Sequence, residues 1–529
     1  MSARPRPHLG LLLVLAVFFG FAATAPGYTS TTFDEILPTA SGASGWRYGR
    51  YDRHLAHPPL AQYSYGWPLV PLIEHYPDET ADWPLDRNYG YARELWGNLG
   101  NPTERMARVA RFPAAVWGLL ALLGVYWGAG GARRGGLWAA GFLAFLPDHL
   151  AHSGVAYNDV ILTATLPLAW SQATASCAGR RPAPGLAGVT LGSALASKFT
   201  AVLLGPIALG CLVLEACARR ERRPWLAALL PGAALGALCL YLTLVVFERG
   251  DPTLELWRAG LAWTLHPPNA GTPASYLFGQ ERAGTPLFYL VAYAVKLPLA
   301  THAVILLGLG LFARARWRGR RTWRRWLRAR WRGPLMGVAL FVLVFARTPQ
   351  NNGLRYALPA FALLAVWLGP VWARAWRRAQ PHARWAWGAL WAAGALSALL
   401  AWPHFLGYMN ALVPVERRHE VLVESSLDWG QGLIELRDYL EEAGYPGCHL
   451  AYFGSCAPAS YGLRYRPLPG FLQIPPLDDP PTGPLPVAIS ATVLVGLYLP
   501  GDPYAAYRQE EPLAVLAGGS LLVYAPRER

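Results

Sequence analysis

The sequence predicts a polytopic α-helical membrane protein of about eleven transmembrane helices, followed by a small α/β domain outside the membrane. Three observations predict it. Apolar residues make up 53% of the 529 residues and charged residues only 15%, with positive mean hydropathy, a combination that soluble chains of this length do not show. The apolar residues are gathered into runs near bilayer length. The basic residues, almost all arginine, bunch in the short gaps between runs, which is how a chain encodes topology rather than nucleic-acid binding.

In order, the apolar segments fall at roughly 8–24, 108–129, 135–152, 157–175, 184–197, 199–217, 224–246, 285–312, 333–346, 354–373 and 385–403. With a cytoplasmic start at Arg4 and Arg6, eleven spans place Arg133-Arg134, Arg180-Arg181, Arg219 to Arg223, the 314–332 arginine run and Arg374 to Arg384 all inside. The same parity sends loops 25–107 and 247–284, and everything after about 404, to the outside of the membrane. The first segment, with its basic start and Ala23-Thr24-Ala25, also fits a cleavable signal peptide; either reading leaves the first loop outside. Trp317, Trp323, Trp326 and Trp331 within the 314–332 run mark an interface-anchoring loop.

The chain thus divides into a transmembrane module, 1–404, and an extracytoplasmic domain, 420–529. The latter reads as a helix over 431–444 and strands near 448–453, 486–491 and 520–525, with a proline-rich stretch over 467–486. Asp428 is placed to cap that helix. Six cysteines show no metal-binding spacing; Cys448 and Cys456 lie outside, where a short disulfide loop is open to them. No glycine-rich phosphate loop, HExxH or GxSxG motif is present, so nucleotide hydrolysis, zinc proteolysis and serine-esterase chemistry have no motif here.

The chemistry-bearing residues are charges in or beside apolar runs. Asp34-Glu35 follows the first segment, and His57-Pro58-Pro59-Leu60 follows them. The only two lysines, Lys198 and Lys296, map to the outer halves of spans, where an ammonium is costly without a partner; snorkelling to the interface is the plainer alternative. Arg355 lies near the same level. Outward carboxylates beside outward cations suit a reaction in which an acceptor loses a proton and an anionic group departs. A polyprenyl-phosphate sugar supplies both needs, with its tail in the bilayer and its sugar phosphate at the outer interface.

At these residues the chain resembles the bacterial branch of the protein O-mannosyltransferase family, glycosyltransferase family 39 of the GT-C superfamily. The resemblance runs almost end to end. It is carried by Asp34-Glu35, by His57 to Leu60, and by Ala151-His152-Ser153 with Asp159, where Asn158 stands for a usual Thr. It continues through Ser197 to Thr200, Tyr276 to Gln280, Val295 to Pro298, Gly353 to Pro359 with Tyr356 for a common His, and Asp428-Trp429-Gly430-Gln431 with Leu427 for an expected Asn.

The resemblance implies an inverting transfer of a hexosyl or pentosyl group to a lipid, glycan or protein hydroxyl. Asp34 would be the base, Glu35 its neighbour and Asp159 a further catalytic acid, with His57 and His152 in the substrate loop, while Lys198, Lys296 and Arg355 converge on the donor phosphate. Glu35 as a cap or solvated loop acid, Asp159 as a helix N-cap, His57 as part of a helix-stopping turn and His152 as a packed imidazole remain the plainer alternatives. A divalent cation is conceivable but not indicated by ligand spacing. A transporter would need paired interrupted helices in matching halves, and the chain shows no internal repeat. A noncatalytic assembly protein would leave the acidic pair, the lysines and Arg355 without a task.

Overall fold

The computed structural model describes residues 7–81, 89–177, 184–207, 209, 210, 213, 222–266, 275–282, 284–318, 332–345, 351 and 353–526. Helix α1 (Pro7–Thr24) is apolar all round. It leads into a segment built on α2 (Ile36–Tyr48) and α3 (Leu60–Gly66). These two cross at glycine: a Cβ on Gly66 would stand 2.1 Å from the carbonyl carbon of Gly42, so backbone meets backbone there. Gly49, at φ +80°, ends α2 in the left-handed conformation and returns its N–H to the Gly45 carbonyl.

The helical body follows as α4 (Thr103–Gly128), α5 (Gly136–Ala144), α6 (Pro147–His152), α7 (Asn158–Cys177), α8 (Pro184–Leu195) and α9 (Arg222–Phe247). A two-stranded ribbon, β1 (Ser275–Leu277) and β2 (Gln280–Arg282), precedes α10 (Pro286–Lys296) and α11 (Leu299–Arg318). Then come α12 (Arg332–Phe345), α13 (Leu358–Arg378) and α14 (Pro381–Leu399). Among the described residues four helices are long and apolar enough to cross a membrane, or five if the bent pair α10–α11 is one span. The chain is a multi-pass helical membrane protein.

Proline breaks two runs that the sequence presents as continuous. Within 135–152, Leu146 is extended (φ −84°, ψ 123°) before Pro147, and α5 and α6 are separate pieces. Within 285–312, Leu297 is extended before Pro298, and α10 and α11 meet at 111°. Hydropathy counts apolar residues and does not register a backbone forced out of the helical region.

The C-terminal region contains α15 (Leu433–Glu442), whose Leu433, Leu436 and Leu440 face inward. Beside it lies a five-stranded mixed sheet of β3 (Cys448–Ala451), β4 (Tyr465–Pro467), β5 (Val487–Ser490), β6 (Ala514–Leu516) and β7 (Leu521–Tyr524), in the order β4-β3-β5-β7-β6. Strands β5 and β7 are buried throughout and pair antiparallel with Val487 opposite Tyr524, which suits their unbroken apolar sequences. This region is stitched to the segment that follows α1. The Phe33 N–H donates to the Trp429 carbonyl at 2.7 Å, Thr31 N–H to the Tyr461 hydroxyl at 2.9 Å, and Ser455 Oγ to the Phe33 carbonyl at 2.5 Å.

Candidate functional site

The two adjacent acids have different surroundings. Glu35, only 1% exposed, receives both Arg111 Nε (2.7 Å) and Nη2 (2.8 Å), together with the backbone N–H groups of Thr32 (2.9 Å) and Ala156 (2.8 Å). Arg111, buried in α4, spends its remaining donors on the carbonyls of Pro26, Thr29 and Ser30. The pair is a closed, fully hydrogen-bonded staple between the segment that follows α1, α4 and the loop before α7. Glu35 occupies the N-cap position of α2 but makes no side-chain cap there.

Asp34 is 19% exposed at its side chain. Tyr89 Oη donates to Oδ1 at 2.8 Å, and Arg355 Nη1 and Nη2 approach Oδ2 at only 3.4 and 3.5 Å. Arg355 itself precedes α13 and lies with its guanidinium 4.2 Å from the ring centre of Trp429 and 5.2 Å from that of Tyr356, a cation–π arrangement.

Behind Arg355 lies a second acid–cation pair. Lys198 Nζ donates to Asp159 Oδ1 at 2.5 Å and stands 4.4 Å from the Tyr356 ring centre. Asp159 Oδ2 has no hydrogen-bond partner and is 4.0 Å from Arg355 Nη1. Asp159 is on the first turn of α7, and Asn158 Nδ2 donates to the Ser197 carbonyl at 2.8 Å, tying that turn to the bend that presents Lys198. Arg355 therefore bridges the two carboxylates.

His57 Nε2 is 2.8 Å from Tyr157 Oη, and the Tyr157 ring in turn faces Arg355 at 5.4 Å, so His57 reaches the site through one tyrosine. His152 is buried with both ring nitrogens unpartnered, edge-on to Trp429 with ring centres 6.1 Å apart.

Lys296 does not join the other cations. It is the last residue of α10, at the break, and donates to the carbonyls of Leu406 (2.6 Å) and Ser426 (2.8 Å), with Asp148 at 3.5 Å. Its position in an apolar run marked it as costly, and local carbonyls and Asp148 meet that cost. Asp428 does not cap α15 either: Gly432 holds the N-cap position. The Asp428 carboxylate instead accepts from the Thr492 N–H (2.9 Å) and Gly430 N–H (3.3 Å), and burial pushes it up to about 7. It anchors the turn that delivers Trp429 to Arg355. Cys448 and Cys456 are free thiols, both buried.

The sequence left several contributors unmarked, Tyr89 and Tyr157 among them. Arg111 and Asp148 carry the same signal as Lys198, a charge in an apolar run. Trp429 was visible only within its four-residue block. Glu424, at φ +56°, has Arg355 and Asp34 among its electrostatic neighbours; desolvation raises its carboxyl while Arg355 pulls it down. Among the described residues, no group of three or more His, Cys, Asp or Glu side chains gathers in a metal-binding arrangement.

Residues 103–247 match the family described as dolichyl-phosphate-mannose-protein mannosyltransferase, which bears out the family resemblance read from the sequence. No curated protein matches the chain. Crystal structures of ArnT from Cupriavidus metallidurans, in the apo state and bound to undecaprenyl phosphate, each align at 14% identity and TM-score 0.47 over 72% of this chain. The chain covers 61% of the length of those structures. The Archaeoglobus fulgidus oligosaccharyltransferase in complex with Zn and sulfate aligns at 14% identity and TM-score 0.39, over 73% of this chain and 52% of its own.

Proposed function

We propose that this chain transfers a sugar, with inversion, from a polyprenyl-phosphate donor to a hydroxyl acceptor at the outer face of a bacterial inner membrane. The family match over 103–247 supports the class of donor and reaction. In this reading the chain crosses the membrane eleven times, and residues 420–529 form an extracytoplasmic domain beside the acceptor path. The donor sugar is a hexose or pentose, and the acceptor is a lipid, glycan or protein hydroxyl.

Asp34 is the base. Its oxygen takes the acceptor proton as the acceptor oxygen attacks the anomeric carbon from the face opposite the phosphate. The bond from that carbon to the phosphate oxygen breaks, and the polyprenyl phosphate leaves with one more negative charge than the donor carried. Arg355 and Lys198 hold that charge. Asp159 orients Lys198, and Trp429 and Tyr356 support the guanidinium.

The observation that carries this reading is Arg355 shared between Asp34 and Asp159 at 3.4 and 4.0 Å. When Asp34 gains the proton it ceases to compete for Arg355, at the same moment that the phosphate gains charge. The net charge of the enclosed centre does not change during the step, so proton removal and phosphate departure assist one another. Glu35 takes no part in proton transfer, because Arg111 and two backbone N–H groups occupy its oxygens. Lys296 holds the α10–α11 bend.

The test is sugar release from a polyprenyl-phosphate-linked sugar by the purified chain, wild type against Asp34→Asn. Loss of release in the variant, with the protein still folded, supports the reading. Equal turnover by the two proteins rules out Asp34 as base, and no turnover by wild type with any such donor removes the donor class.

A further inference from the structure

We propose that the end of α13 remote from Arg355 carries a binding site for one anionic phospholipid. A cavity of about 800 Å³ opens there between the end of α4, α11, α13 and the start of α14. Leu307, Leu311, Phe312, Val366 and Trp367 form its apolar wall, and Arg134, Arg374, Arg377 and Arg378 stand at its rim. Among the described residues no acidic side chain lines it. Its volume lies within the range of small-molecule sites, about 300–1,000 Å³.

The chemistry of the occupant follows from this division. Four guanidinium groups without a carboxylate among them repel one another and call for an anion. The apolar wall calls for hydrocarbon rather than a soluble anion. Arg355 and Arg374 are about 28 Å apart along the helix at 1.5 Å per residue, close to the roughly 30 Å of a bilayer's hydrocarbon core. The wall therefore lies at acyl-chain depth, and the rim lies at the headgroup level of the leaflet opposite the Asp34 centre. A phospholipid with a net negative headgroup matches this profile, its phosphate received by arginine forks and an acyl chain laid against Trp367. A choline headgroup would bring a cation to a rim that already carries four. A donor phosphate engaged at Arg355 is too distant to serve both places. The site is independent of the transferase reading and stands if that reading fails.

Native mass spectrometry of the full chain, delipidated in mild detergent and offered phosphatidylglycerol or phosphatidylcholine of identical acyl chains, tests this. The expected result is one retained phosphatidylglycerol per chain, with a preference over phosphatidylcholine of roughly tenfold or more. Replacing Arg374, Arg377 and Arg378 together by Gln abolishes the preference. Ala375 also lines the cavity, and Ala375→Trp fills it while keeping every arginine and lowers retention of both lipids; this variant decides the matter if the triple substitution fails to fold. Equal retention of the two lipids by wild type overturns the proposal. So does an undiminished preference in the triple variant, or undiminished retention in Ala375→Trp.

Discussion

The staple around Glu35 and the centre around Asp34 are built from the same materials, a carboxylate and an arginine inside a membrane protein, and differ in how completely they are satisfied. Arg111 and Glu35 meet at 2.7 and 2.8 Å, with backbone groups on the remaining positions. Arg355 and Asp34 meet at 3.4 and 3.5 Å, Asp34 stays partly exposed, and Asp159 Oδ2 has no hydrogen-bond partner. A saturated pair has nothing left to offer a substrate. An undersaturated one holds charge in readiness and pays in stability. The Lys296 cluster lies between the two: the ammonium donates to two carbonyls, but Asp148 stands 3.5 Å away and its Oδ2 has no hydrogen-bond partner.

The comparison breaks most sharply at Asp34. Asp34→Asn is expected to lower sugar release by about 10²–10⁴-fold, the range for loss of a general base, while leaving the melting temperature close to wild type. Arg111→Met is expected to act the other way. It leaves Glu35 as an uncompensated buried carboxylate, costing about 3–5 kcal/mol, read as loss of monodisperse protein on size exclusion and a lower melting temperature. If Arg111→Met proves as stable as wild type, saturation does not mark structure.

A third test uses pH. Burial holds the Asp428 carboxyl up to about 7, so between about pH 4 and 7 the folded chain keeps a proton that the unfolded chain has lost. Wild-type stability relative to Asp428→Asn should therefore fall as pH rises through that window and level off above it, by on the order of 1–4 kcal/mol. A flat difference curve from thermal melts at pH 4 to 8 would refute that shift. The smallest effect belongs to Tyr89→Phe, which removes one hydrogen bond to Asp34 worth about 1–2 kcal/mol. It should change kcat by up to about tenfold and hardly move the melting temperature.

The helical class and the position of the acids were legible in the sequence because membrane chains advertise charges: Asp34, Asp159, Lys198 and Arg355 are conspicuous in apolar surroundings. Which of them were satisfied was not legible, because satisfaction depends on partners far along the chain. Glu35 finds Arg111, 76 residues away, and Asp34 finds Arg355, 321 residues away. Lys296 looked like a third phosphate ligand for the same reason, since its carbonyl partners carry no sequence signal. The breaks at Pro147 and Pro298 were hidden inside runs whose hydropathy alone was counted. Strands β3, β5 and β7 lie on apolar stretches that alternate little. Strands β4 and β6 are three-residue edges without such a pattern.

Trp429 stands against Arg355, and its turn is fixed through Asp428 to Thr492 beyond β5. A ribosome therefore releases the acids and cations of the centre long before it releases Trp429 and the residues that fix its turn. During synthesis, Asp34, Asp159, Lys198 and Arg355 emerge with Tyr157 and Tyr356 but before Trp429, and the centre closes only after Thr492 has emerged. A product cut before β5 is thus left without the brace on the Trp429 turn, so the sheet supplies the centre with a support that its own acids and cations cannot provide.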